Sequence, residues 1–182
     1  MADSSEFDRY AEDYQLHVNE ALAVSGEDSG YFARRRVAWL SRYLRQTKEP
    51  IRTVIDYGCG TGTLTPHLFE LLSVDSVLGV DVSPKSLDVA RREHSSNRAQ
   101  FLLFEQHQPS AQSDLAVCCN VFHHIPPGER ASAVDYIYRS LRPGGLLSFW
   151  EQNPWNPGTR YIMSRCAFDR DAITLTPPEA RR

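Results

Sequence analysis

No stretch of this sequence approaches the roughly 20 consecutive apolar residues that a membrane-spanning helix needs. The opening MADSSEFDRY is polar and acidic, unlike a secretory or transit leader. Positive charge is not in excess either. The 20 Lys and Arg residues face 23 Asp and Glu, a net charge of −3, which offers no electrostatic footprint for nucleic acid or an anionic membrane. Arg34-Arg35-Arg36 and Arg181-Arg182 are short basic clusters that read as solvated faces or tails. Cysteine is scarce and unpatterned: Cys59, Cys118, Cys119 and Cys166 include no CxxC pair, and the adjacent Cys118 and Cys119 sit in an apolar run as core residues do. His67, His94, His107 and the pair His123-His124 are scattered, and the carboxylates lack ligand spacing, so no metal site is expected. Repeats and low-complexity segments are absent. What is left is a reduced, cytoplasmic globular protein of one domain, with 182 residues, 41% of them hydrophobic.

The apolar pattern then gives the order of elements. Phe7, Tyr10, Ala11, Tyr14, Val18, Ala21 and Leu22 keep helical spacing and predict a first amphipathic helix. SGEDSG (25–30) breaks it, and a second helix follows with Phe32, Trp39, Leu40, Tyr43 and Leu44 on one side. From residue 53 strands and helices alternate. Strands are predicted at 53–57, 76–82, 100–104, 114–119 and 146–150. Helix faces are predicted at Leu64, Leu68, Leu71 and Leu72, after the Ser83-Pro84 cap, and at Val134, Ile137, Tyr138 and Leu141, with RPGG (142–145) as the stop. Strands apolar throughout are covered on both faces. The alternation therefore implies right-handed crossovers and a doubly wound parallel sheet in an α/β, three-layer αβα fold with two helices in front.

The segment VIDYGCGTGTLTPHL (54–68) places Gly58, Gly60 and Gly62 at a strand-to-helix turn. In a doubly wound sheet that turn lies where ligands bind, and missing β-carbons let a ligand approach the backbone. A dinucleotide needs GxGxxG, but the third glycine position is Thr63; the P-loop pattern lacks its lysine. Asp56 would repel a pyrophosphate and suits a ligand with a cationic end. Asp81, at the end of the second strand, suits a ribose diol, while Ser83 takes the cap of the next helix.

VIDYGCGTG, then GVDVS, NVFHHIP and LRPGGLLSF, in that order, resemble the class I S-adenosylmethionine-dependent methyltransferases, with a match from about residue 50 to 151. The resemblance implies a Rossmann-like fold, S-adenosylmethionine (SAM) as cofactor and S-adenosylhomocysteine (SAH) as product. It places Asp56 near the methionine part, Gly58, Gly60 and Gly62 in the turn around it, Asp81 on the ribose and Val82 on the adenine. Glu105 or Gln106 stands where an adenine-contacting Asp often lies, and Asn120 lies beside the amino acid end. His123 and His124 fall where the acceptor pocket begins and are candidates for a general base. Tyr10, Tyr14 and Arg36 fit a helical lid over the cofactor, although a core aromatic stripe and a surface arginine are the blander readings.

Residues 1–49 are thus expected to form the lid, 50–151 the cofactor core and 152–182 an acceptor-side segment. The family's sixth and seventh strands have no counterpart here, and TPPEARR reads as the start of the helix before them. An open sheet edge would then be available for a homo-oligomer. The expected activity is methyl transfer to a small molecule, with no nucleic acid or membrane partner. The alternatives are a non-catalytic module that binds SAM or SAH and acts through protein contacts, and an NAD-dependent oxidoreductase, which Thr63 disfavours.

Overall fold

The computed structural model describes residues 8, 11–47 and 50–181; Phe7 and Tyr10 of the first predicted helix lie outside them. Five strands form the sheet among the described residues: β1 (Thr53–Tyr57), β2 (Ser76–Asp81), β3 (Ala99–Leu103), β4 (Ser113–Cys119) and β5 (Leu141–Trp150). All neighbours are parallel, in the order β3-β2-β1-β4-β5. The chain runs outward from β1 to β3, then returns to place β4 on the other side of β1, which creates a switch point between β1 and β4. The helices are α1 (Tyr14–Leu22), α2 (Ser29–Thr47), α3 (Thr65–Leu72), α4 (Pro84–His94), α5 (Arg130–Ser140) and α6 (Pro157–Met163). None of the described helices is long and apolar enough to cross a membrane.

Period-two alternation sorts the strand residues between two covered faces. Val54, Val77, Leu115 and Val117 pack with Val37, Leu40 and Leu44 of α2 and Leu68 of α3. Ile55, Ala116 and Cys118 face the other way, onto Ala133 and Ile137 of α5. Burial of each large aliphatic side chain contributes about 1.5–3 kcal/mol, which explains why these strands read as unbroken apolar runs. Ser83 caps α4 as expected, its hydroxyl accepting from Ser86 N with Pro84 in the first turn.

Local departures have physical reasons. Val134 and Tyr138 are exposed, and α5 instead buries Ala133, Ile137 and Ser140, a stripe of small and branched residues at i, i+4 and i+7 that fits closely on the sheet. On α2 the buried stripe is Ala33, Val37, Leu40 and Leu44; Trp39 and Tyr43 stack on each other outside it, and Trp39 meets Trp150 of edge strand β5 edge-on at 5.3 Å. RPGG does not separate α5 from β5. The strand begins at Leu141 opposite Ser113, and the residues up to Leu146, opposite Leu115, bulge out of register. Arg142 Nε fixes the bulge by donating to Asp114 Oδ1 at 2.6 Å. The described part of TPPEARR (176–181) ends in a 3-10 turn at Glu179–Arg181, with Glu179 accepting from Thr176.

Candidate functional site

The carboxyl ends of β1, β2 and β4 open into a cavity of about 750 Å³, roofed by α1, α2 and α6. The three glycines of the turn all take left-handed backbone, at φ 71°, 52° and 78°, yet serve different ends. A β-carbon on Gly58 would lie 2.4 Å from Val121 Cγ2, and one on Gly62 would lie 2.9 Å from His94 Cδ2. Those two glycines let the turn pack against the protein. A β-carbon on Gly60 would meet nothing within 4 Å, and Gly60 lines the cavity. Gly60 is therefore the position where missing side-chain bulk leaves room for a ligand.

The turn is locked to β2. Gly58 N and Cys59 N both donate to Val80 O, and Gly60 N donates to Asp81 Oδ2 at 2.8 Å. The other Asp81 oxygen accepts from Ser83 N at 2.9 Å. Asp81 is 8% exposed. Burial raises its pKa, and the backbone donors Ser83, Gly60 and Val82 oppose the rise. A carboxylate offers about four acceptor positions, so capacity remains for a donor from the cavity.

Asp56 is 1% exposed, and its Oδ2 has no hydrogen-bond partner among the described residues. Burial, and then the charge of Asp81, push its pKa up to about 7. A buried, unsatisfied carboxylate is costly, and it fits a ligand that brings a cationic donor. Val82, Asn120, Tyr14 and Arg36 also line the cavity. Asn120 follows β4 rather than ending it, in left-handed backbone at φ 57°, and its N–H donates to Trp150 O. Tyr10 lies outside the described residues. Glu105 and Gln106 are exposed and do not line the cavity; Gln106 Oε1 accepts from Leu103 N, and Phe104 lines the space instead.

The opposite end of the cavity is built from side chains. His123 is 2% exposed, and its Nδ1 lies 2.6 Å from Glu151 Oε2. Glu151 Oε1 accepts from both Val121 N and Phe122 N at 2.7 Å, so one carboxylate orients the loop and the ring together. Asp169 Oδ1 sits 3.5 Å from His123 Nε2 and 3.4 Å from His124 Nε2, at hydrogen-bonding geometry with neither. Burial opposes charge on His123, but Asp169 and Glu151 outweigh it and raise the pKa to about 9. Burial, and then the neighbouring His123, lower His124 to about 4. Neither ring keeps the near-neutral value of a free imidazole. Glu151 and Asp169 were missed by sequence reasoning. Glu151 at least directly follows a strand end, where sites of this fold form, whereas Asp169 carried no pattern.

A profile described as a methyltransferase domain matches residues 55–147, just over half of the chain. Over 164 residues the chain is 28% identical to N-demethylindolmycin N-methyltransferase of Streptomyces griseus, a match covering 85% of this chain and 65% of that protein. It is 31% identical over 136 residues to malonyl-[acyl-carrier protein] O-methyltransferase of Halalkalibacterium halodurans, covering 71% of this chain and 48% of the relative. The chain thus spans between about half and two thirds of the length of these relatives. The structure of magnesium protoporphyrin IX methyltransferase from Synechocystis PCC 6803 with bound SAH superposes with a TM-score of 0.65 at 17% identity, over 98% of this chain and 86% of that one, a likeness of fold. With the glycine turn, its two acids and the switch-point cavity in place, this chain belongs to the methyltransferase-domain family.

Proposed function

We propose that this chain binds SAM across the glycine turn and methylates a small molecule held at the histidine end of the cavity. The observation that carries the reading is the coupling of Gly60 and Asp81: the cavity-lining glycine whose β-carbon position is open donates its N–H to an acid that lines the same space. Asp56, with its unmatched buried oxygen, is assigned to the cationic amino acid end, together with Asn120 and Arg36; Arg36 offers a bidentate contact to a carboxylate. Gly58 and Gly62 shape the turn. Asp81 takes the ribose hydroxyls, and Val82 and Phe104 the adenine.

When bound, SAM supplies an electrophilic methyl group. The chain's own task is then to align an acceptor atom and exclude water. Tyr14, Val18 and Phe32 from the N-terminal helices and Ile162 and Phe168 from the C-terminal segment enclose the cavity and are assigned to that exclusion. His123 is assigned to positioning, because Glu151 holds its Nδ1 at 2.6 Å, and His124 to contact with the acceptor. The cavity volume lies in the range of small-molecule sites, and the relative named for modifying N-demethylindolmycin supports the substrate class.

The test is SAH production from SAM across a panel of small amines, phenols and carboxylic acids. Turnover with one member, lowered by His124→Ala at unchanged SAH affinity, is the expected result. Tight SAM binding with no turnover on any member would instead favour a binding module. Open edge strand β5 is the surface on which we place a homo-oligomer contact, checked by light scattering.

A further inference from the structure

We propose that His123, His124 and Asp169 form a binding site for one divalent transition-metal ion in the wall of the cavity. The inference stands on the protein's own groups and does not depend on methyl transfer. One ligand atom from each of the three residues lies within 4.8 Å of the other two. Asp169 Oδ1 is 3.5 Å and 3.4 Å from the two Nε2 atoms. A tetrahedral ion with bonds near 2.0–2.1 Å spaces its ligand atoms roughly 3.3–3.5 Å apart. Two of the three spacings are therefore already those of a coordinated site.

Two independent observations point to a ligand. The first is Asp169 itself. Its side chain is 5% exposed, and its Oδ1 is buried without a hydrogen-bond partner among the described residues. A buried carboxylate oxygen directed at two imidazole nitrogens and bonded to neither is satisfied by a cation placed between them. The second is Glu151. Metal-binding histidines characteristically donate their remote ring N–H to a carboxylate, which fixes the tautomer and raises ligand basicity. The 2.6 Å contact of His123 Nδ1 with Glu151 is that arrangement, and it leaves Nε2 facing Asp169 and His124.

The supports are short and tied together. The histidines sit in the 3-10 turn Phe122–His124, and Asp169 ends the 3-10 turn Ala167–Asp169. Ile173 N donates to His123 O at 2.8 Å, and Phe168 stacks on Tyr14 at 5.0 Å. All three residues line the cavity, so the remaining coordination positions face it and take water or an oxygen or nitrogen donor of the cavity's ligand. Two imidazoles and one carboxylate favour zinc, cobalt, nickel or ferrous iron over magnesium and calcium, which take oxygen donors.

The experiment is titration of chelator-stripped, desalted protein with Co²⁺, followed by visible absorption, and with Zn²⁺, followed by calorimetry and thermal melting. The expected result is one Co²⁺ per chain, with ligand-field bands of a nitrogen–oxygen site and no thiolate charge-transfer band. One equivalent of Zn²⁺ should displace it and raise the melting temperature. Asp169→Asn and His124→Gln should each abolish the bands. Glu151→Gln should weaken binding by about 10–100-fold, and His17→Gln, half-buried on α1 and outside the cavity lining, should change nothing. If a variant fails to fold, the wild-type stoichiometry and spectrum still decide. No cobalt bands at millimolar Co²⁺, or bands that persist in folded Asp169→Asn, would overturn the site.

Discussion

At the β1–β2 end of the cavity the groups facing the space are largely backbone, set by three left-handed glycines and pinned by hydrogen bonds to Val80 and Asp81. At the β4–β5 end they are ionisable side chains, held by one another: Glu151 on His123, and Asp169 near both histidines. The first end keeps its shape through local chain conformation. The second depends on residues from separate strands and from the C-terminal segment meeting in space. Disturbing the first should therefore act mainly through steric fit, and disturbing the second through charges left unpaired.

The largest effect is expected at the side-chain end. Glu151→Ala removes the partner of a buried imidazole and strands the N–H groups of Val121 and Phe122. Breaking such a pair costs about 3–5 kcal/mol, to be read from urea unfolding; a loss below 1 kcal/mol would mean that this end is not held by its charges. Next is Gly58→Val. Its branched side chain would collide with Val121 and sit in left-handed backbone, costing about 1–3 kcal/mol for overpacking and about 1–2 kcal/mol for the conformation. A wild-type melting temperature would refute the steric account of the turn.

Asp56→Asn sharpens the comparison, because it tests the more deeply buried of the two acids at the backbone-built end. With a folded pKa of about 7, raised by burial and then by Asp81, Asp56 stays protonated in the folded chain while the unfolded chain ionises near 3.8. The folded state therefore binds more protons, and this contribution to stability falls as pH rises from about 4 to 7, then levels off. The thiols of Cys59, Cys118 and Cys119 nearby are pushed upward by burial and stay neutral throughout, so Asp81 is the charge that matters. Asn removes the penalty, so the variant should gain stability over the ligand-free wild type across that window, by ~2–4 kcal/mol at ~1.4 kcal/mol per pKa unit. It should also weaken SAM binding above pH 7, where ionised Asp56 meets a cation. A stability difference independent of pH would contradict the assignment. The smallest expected effect on stability is that of Gly60→Val. It should lower melting less than Gly58→Val, since no atom lies within 4 Å of its β-carbon, yet reduce SAH affinity about a hundredfold, or ~2.8 kcal/mol.

The same contrast explains what was readable in advance. Strands, their order of appearance and the glycine turn were legible because each depends on a contiguous run: alternation buried on two faces, or φ values that glycine tolerates. Asp81 was legible because it ends a strand beside that turn. The ion cluster was not, because Glu151 lies 28 residues from His123 and Asp169 arrives through a segment without periodic pattern. Helix faces were misjudged where aromatic residues mimicked a core stripe. Trp39, Tyr43 and Tyr138 carry apolar surface at helical spacing, while smaller residues on the same helices make the close contact with the sheet.

The most direct test is calorimetry of the wild-type chain with SAM, SAH and NAD in turn. A turn shaped by Gly60, backed by Asp56 and closed by Asp81 should bind both sulfur ligands at one site per chain and bind NAD much more weakly. NAD binding tighter than SAM or SAH would contradict it.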